Sequence, residues 1–447
     1  MMTTPALLIG PATVFTNHEP DLIIHDAGVL CERGRVVETG PHARLTRAYP
    51  HAEKLDARGR LVLPGLINAH HHLYSTFARG MPIPPGTDLH DFPHILEGIW
   101  WRLDRALDLE AVEAGAWPPA LDCLRAGTTT IVDHHASPNA ILGSLAALER
   151  VCLAAGLRAA LCYEITDRNG PDGSRLGIEE NATFAASHAA STRIRPMLGL
   201  HASFTVHDST LDQAARAVPA NLPVHIHAAE DIADVTRTRD LYRSTILDRL
   251  DRAGLLRAGS LLVHGIHLTD DDLRRVAASG AWIVHNPESN ANNAVGRFDP
   301  LHAMDLGVNV ALGTDGMASN MLRAAKSAYL MLRHGRHDPT VGFDLPRRLL
   351  FDTNVRLARD LFRDPLIGSL VPGAPADLCV VDYDPPTPLD ASTFDGHFTF
   401  GITEAPVIAT VSDGVVRMER GDLKGIDEEA LRRRILAAAK RVWARLA

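Results

Sequence analysis

Histidine is the residue type that first asks for an explanation. The chain has 23 of them, and several stand at the ends of apolar runs rather than in polar loops. His70-His71-His72 closes LVLPGLINAHHH, and His225-Ile226-His227 lies in PVHIHAAE with Glu230 three residues on. His264 ends SLLVH and Asp315 ends VNVALGTD. Imidazole nitrogens and a carboxylate oxygen are the donors a zinc-like divalent cation accepts. Alternate residues of a strand share a face, so His70 and His72 can reach one ion while His71 points elsewhere. A lone strand-end histidine is usually just a satisfied polar residue, and Asp315 alone could cap a helix. Ligand-type residues at four separate strand ends are a different matter, and they point to a metal centre. His71, His134, His135 and His225 read either as orienting a ligand or as packing behind one. His207 and His267 read as ordinary polar residues.

Residues this far apart in sequence meet only if the fold carries the strand ends to one place. From residue 63 to about 365, apolar strands alternate with Ala-, Leu- and Arg-rich helical segments such as STILDRLDRAGL, the pattern of repeated βα units. Eight strands can be read, in LVLPGLINAHHH, GTTTIVDHH, RAALCYEI, IRPMLGLHA, PVHIHAAE, SLLVHGIH, AWIVHNP and VNVALGTD. That predicts a (β/α)8 TIM barrel, in which all strand C-termini share one mouth. No dinucleotide fingerprint or Walker loop favours an open sheet. Residues 1–62 and 366–447 read instead as short strands with turn signals, the second stretch ending in an amphipathic helix. The fold class expected is α/β, a barrel over 63–365 with a small β-sandwich formed by both chain ends. Trp117-Pro118-Pro119 falls in the helix before strand two and predicts a kink or a split there.

Composition excludes several classes. With 46% apolar and 22% charged residues the chain has the make-up of a globular enzyme. A net charge of −9 argues against nucleic acid or an anionic membrane as partner, since both reward clustered Lys and Arg. Five scattered cysteines without a C-x-x-C pair suit a reducing compartment. With no signal-peptide pattern and no apolar run of roughly 18 residues, the reading is a soluble cytoplasmic protein, and the charge decides nothing about a small neutral substrate.

The motifs PGLINAHHH, HIHAAE, LLVHGIHL, HNPESN and ALGTDGMASN resemble the amidohydrolase superfamily in its one-metal aminohydrolase branch, over nearly the whole chain. GSLVPGAPADLCVVD is similar to that branch's returning strand. LCYEITDRNG, GLHASFT and DHHASP most resemble the SsnA-type aminohydrolases, with more distant likeness to guanine, cytosine and adenosylhomocysteine deaminases and to triazine hydrolases. The resemblance implies one divalent ion, Zn2+ or alternatively Fe2+, on His70, His72, His227 and Asp315. It implies that Glu230 shuttles protons and that His264 hydrogen-bonds the metal-bound water or the reacting centre instead of ligating, steadying the developing alkoxide. His201 resembles a substrate-facing position, and the family commonly forms homo-oligomers. Trp100 and Trp101 would stack on a flat substrate or pack in a helix core. Two absences sharpen this. The four lysines lie off the barrel strands, so no carboxylated lysine bridges a second metal, and the cytidine-deaminase zinc motif is missing.

The chemistry expected is deamination of a purine, pteridine, pyrimidine or triazine-like ring. An ion at this site acidifies a bound water, Asp315 takes its proton, and Glu230 protonates a ring nitrogen and then the departing amine. The alternatives are hydrolysis of a chloride or a cyclic amide at the same site, or a non-catalytic metal-binding scaffold. A dead scaffold has no use for Glu230.

Overall fold

The computed structural model describes residues 6–446. Its central strands are short apolar runs buried on both faces, as parallel strands covered by helices must be. In chain order they are Leu66–His71, Thr128–His135, Arg158–Tyr163, Leu198–Ala202, Val224–Ala228, Leu261–His264, Trp282–His285 and Asn309–Leu312. The first three pair in parallel with one another and with the short Ile194–Pro196, and the last five pair in parallel as a second sheet.

Two seams join these half-sheets, and a buried asparagine stitches each. At the first, the Ile165 amide donates to Gly199 O at 3.2 Å and the His201 amide to Ile165 O at 3.0 Å. Asn181 Oδ1 accepts there from the amides of Tyr163 at 3.1 Å and Gly199 at 3.2 Å. At the second, the amides of Thr314 and Asp315 donate to His70 O at 3.1 and 3.0 Å. Asn354 Nδ2 donates to Ile67 O at 2.8 Å and Leu312 O at 2.9 Å, while its Oδ1 accepts from the Leu312 amide at 2.8 Å. A carboxamide carries both donors and an acceptor, so it replaces the ladder bonds missing where strands splay.

Both chain ends contribute to one nine-stranded sheet. Leu378–Val381 pairs antiparallel with Leu61–Pro64, which pairs parallel with Leu7–Phe15. One face buries a separate core that includes Ile9, Val29, Val62, Leu378 and Val411. The run LVLPGLINAHHH, read above as one strand, is therefore two. Leu61–Pro64 belongs to this sheet and Leu66–His71 to the barrel, with the break at Gly65. A Cβ at Gly65 would stand 2.2 Å from Thr129 Oγ1, so only glycine lets the chain pass.

The prolines do not split their helix. Leu109–Arg125 runs as one helix of 17 residues through Pro118 and Pro119. Pro119 has no N–H to give the carbonyl four residues back, but the Thr76 hydroxyl donates to that Gly115 carbonyl at 2.6 Å. The compensation comes from another segment, which helix propensity cannot register. Among the described residues no helix is long and apolar enough to cross a membrane.

Candidate metal centre and its cavity

His70, His72, His227 and Asp315 each offer a ligand atom within 4.8 Å of the others. His72 Nε2 lies 3.1 Å from Asp315 Oδ1 and 3.3 Å from His227 Nε2, and His70 Nε2 lies 3.6 Å from Asp315 Oδ1. Each ring is held from behind through Nδ1. His225 Nε2 meets His70 Nδ1 at 2.8 Å, and the carbonyls of His134 and His201 accept from His72 and His227 at 2.5 and 3.0 Å. Asn290 Oδ1 accepts from His264 Nδ1 at 2.8 Å. Nδ1 thereby carries the proton, an assignment made from the hydrogen bonds, and Nε2 faces inward with its lone pair. His70 Nε2 and His264 Nε2 are buried without a hydrogen-bond partner, as atoms aimed at a cation or its bound water are. A three-imidazole, one-carboxylate donor set fits a zinc-like ion.

The carboxylates divide. Burial pushes the Asp315 carboxyl up, but the His70 and His72 imidazoles packed against it hold it well below the usual range. Its Oδ2 also accepts from Ser289 Oγ at 2.6 Å. Glu230 goes the other way: burial first, then the Asp315 charge, raise its carboxyl well above the usual value. Glu230 Oε1 accepts from Asn293 at 3.3 Å, and Oε2 lies 3.4 Å from His264 Nε2. Burial lowers His264, keeping that imidazole neutral.

A cavity of about 880 Å3, counted with its open mouth, lies over this cluster. His72, His227, Glu230 and Asp315 reach it, and so do Trp100, Trp101 and His201. His70 and His264 sit beneath, both fully buried. His225 backs His70. His71 packs away from the cluster, its Nε2 3.0 Å from Ser319 Oγ, and His135 Nε2 meets Ser137 Oγ at 2.9 Å. His207 is exposed beside Asp167, and His267 Nε2 donates to Val295 O at 2.8 Å.

Sequence reading missed Asp104 and Glu164 as cavity residues, with Arg168 behind them. Glu164 was open to the same strand-end rule, because it follows Tyr163 at the end of the third strand. Asp104 had no signal, since its helix Trp101–Ala106 reaches the cavity only by tertiary packing.

A ring of parallel strands with imidazoles and a carboxylate converging at one mouth defines a metal-dependent barrel hydrolase. The amidohydrolase family model matches residues 61–417, and the chain belongs to the amidohydrolase family. It is 31% identical over 438 residues to a 5-methylthioadenosine/S-adenosylhomocysteine deaminase of Halobacterium salinarum, covering 95% of this chain and 96% of the relative. It is 29% identical over 450 residues to a 5'-deoxyadenosine deaminase of Methanosarcina mazei, covering 98% and 99%. Among solved structures, an adenosine deaminase from Xanthomonas campestris with bound zinc superposes with a TM-score of 0.82 at 23% identity over 98% of each chain.

Proposed function

We propose that the protein is a metal-dependent hydrolytic deaminase, replacing an exocyclic amino group of a small nitrogen heterocycle with oxygen and releasing ammonia. The observation that carries this is Glu230. It is a buried carboxyl at the cavity surface, outside the group of His70, His72, His227 and Asp315 but clustered with His264 and Asp315 at its edge, which supports a role in moving protons there. Expelling an amine requires protonation, whereas expelling chloride does not. The deaminase names of relatives spanning nearly the whole chain support the same reading.

His70, His72, His227 and Asp315 would hold one ion, zinc in our reading, which when bound would supply Lewis acidity and acidify the attacking water toward a pKa of about 7. Asp315 takes the proton of the attacking water. Glu230 gives its proton to the ring nitrogen next to the attacked carbon, takes up the second proton of the former water and passes it to the departing amine, so that the C–N bond breaks as the carbonyl forms; the proton held by Asp315 then returns to Glu230 and resets the site. Of the two partners expected for His264, the water is the one this reading favours. With Nδ1–H committed to Asn290, its Nε2 accepts, so it orients the water by receiving a hydrogen bond. Trp100 and Trp101 supply flat apolar faces for a ring, and His201 a polar contact.

In the same reading the catalytic barrel runs from the break at Gly65 rather than from residue 63 to about 365, and the stretches on either side form its accessory unit. The five cysteines, all buried and unpaired, suit a cytoplasmic enzyme. The acidic net charge and the cavity suit a small molecule as partner rather than nucleic acid or membrane, with self-association as the family resemblance implies. The test is ammonia release by metal-loaded enzyme from adenosine-type nucleosides, guanine, 8-oxoguanine, isoxanthopterin, cytosine and aminotriazines. Release from one of them is expected. Chloride release or cyclic-amide opening without ammonia from any would overturn it.

A further inference from the structure

One wall of the cavity is built by residues that the deamination chemistry leaves unused. Glu164, 3% exposed, and Asp104, 1% exposed, both reach it. Arg168 stands behind them, hydrogen-bonded through Nη2 to Asp104 and, at 3.4 Å, to Glu164 Oε1. Its guanidinium also lies 5.0 Å from the centre of the Trp101 ring. Glu164 is flanked by His134 Nδ1 at 3.4 Å and His201 Nε2 at 3.8 Å. Burial pushes this carboxyl up, but His201, His134 and Arg168 outweigh it and keep Glu164 ionised.

The wall holds unpartnered donors as well as acceptors, since Arg168 Nε and Nη1 and Trp101 Nε1 are buried without a hydrogen bond, but Arg168 stands behind and it is the two carboxylates that line the cavity. The one hydrogen bond Glu164 receives is long, and Asp104 Oδ1 is buried with no partner at all. One guanidinium serves two carboxylates. Around the whole cavity stand Asp104, Glu164, Glu230, Asp231, Asp234 and Asp315, while among the described residues no lysine or arginine lines it. Under-donated carboxylate oxygens facing a cavity are groups that a ligand completes. An anionic group brought to this wall meets two carboxylates first, and the one guanidinium there, Arg168, stands behind them and serves both.

We infer that the substrate presents to the Glu164 and Asp104 wall an edge of N–H or O–H donors, neutral or cationic, and that molecules with an anionic substituent on that edge are rejected. This deepens the proposed function, resting on the cavity as the substrate site, and makes Glu164 a specificity-determining residue. Vicinal hydroxyls, a ring N–H edge or an aliphatic amine meet the requirement, and a carboxylate or phosphate does not.

The test uses metal-loaded enzyme and matched probes. Adenine, guanine and diaminotriazine each carry a 2-hydroxyethyl, 2-aminoethyl or carboxymethyl arm. Binding is read by calorimetry and turnover by ammonia release. On any ring that binds, the hydroxyl and amine arms should exceed the carboxylate arm by about 100-fold, the effect of two like charges about 6 Å apart at an effective dielectric near 20. Glu164→Gln should narrow that gap at least 10-fold, and Asp104→Asn should narrow it in the same direction. The wild-type comparison stands even if a variant does not fold. Equal binding of the three arms, tighter binding of the carboxylate, or no binding by any donor-bearing probe overturns the inference. A carboxylate arm deaminated as readily as the hydroxyl arm overturns it while leaving the deaminase reading intact. Preferential binding of donor arms without ammonia upholds it and overturns that reading instead.

Discussion

His225 and Asn290 offer a way to separate ligands from neighbours without knowing the substrate. Two of the four inward-facing rings, His72 and His227, are held by backbone carbonyls that side-chain substitution leaves in place. The other two are held by side chains, His70 by His225 and His264 by Asn290. If His70 ligates and His264 does not, the two substitutions must act differently. His225→Ala removes the acceptor 2.8 Å from His70 Nδ1, freeing the ring to rotate and lowering its basicity. Losing such a partner weakens metal affinity about 10- to 100-fold, or about 1.4 to 2.7 kcal/mol. Asn290→Ala loosens a ring outside the ligand set, so affinity should stay within about 3-fold while turnover falls. The assay is zinc affinity by chelator competition on both variants and wild type. Melting of the metal-free proteins shows how much of any loss comes from general destabilisation. Equal loss of zinc in both variants, at equal metal-free stability, would make His264 a ligand and refute the division of roles.

Chelation should lower the melting temperature and zinc restore it, since an ion at about 1,000 times its dissociation constant stabilises the fold by about 4 kcal/mol; a scan insensitive to chelator refutes a folded-state site. Glu230→Gln should keep its metal by elemental analysis yet lose about 100-fold or more in turnover, and near-normal turnover removes it from the mechanism. Asn354→Ala should cost about 3 kcal/mol or more in denaturant unfolding, because three buried backbone bonds across a seam are lost together. Burial raises the Asp234 carboxyl to about 6, against the hydrogen bonds it accepts from the Ala229 and Phe204 amides. The unfolded chain therefore releases this proton first, and stability from this group falls as pH rises from about 4 to about 6, by up to about 3 kcal/mol. Wild type should lose that increment relative to Asp234→Asn in unfolding curves across the window, and parallel pH profiles would contradict it.

What could be read from the sequence was whatever depends on position along a strand. His70, His72, His227, His264 and Asp315 were legible because parallel strands deliver their ends to one mouth, whatever lies between them. Residues that act across the fold were not legible. Asn181 and Asn354 look like ordinary helix asparagines until each is found bridging two strands. The unbroken helix at Pro118 and Pro119 depends on a threonine some forty residues earlier, and the break at Gly65 on the side chain of Thr129. Asp104 belongs to the same group, being an unremarkable position of a short helix that packing turns toward the cavity.

The seam and the metal cluster are one piece of structure. His70 presents its ring to the cluster, and its carbonyl accepts the Thr314 and Asp315 amides that join the eighth strand to the first. Asp315 follows with a left-handed backbone, φ 56°, and His264 leaves its own strand with φ 76°. Such conformations cost a non-glycine residue about 1–3 kcal/mol and persist only where the surroundings over-determine them. At Asp315 they do: its amide is tied to His70, its Oδ1 accepts from the Gly316 amide at 2.7 Å, and its Oδ2 accepts from Ser289. The turn carries the carboxylate back across the barrel mouth instead of letting it follow the chain outward. Closing this seam and bringing Asp315 to His70 are thus the same event, and the strain at Asp315 is offset by the bonds that join the eighth strand to the first.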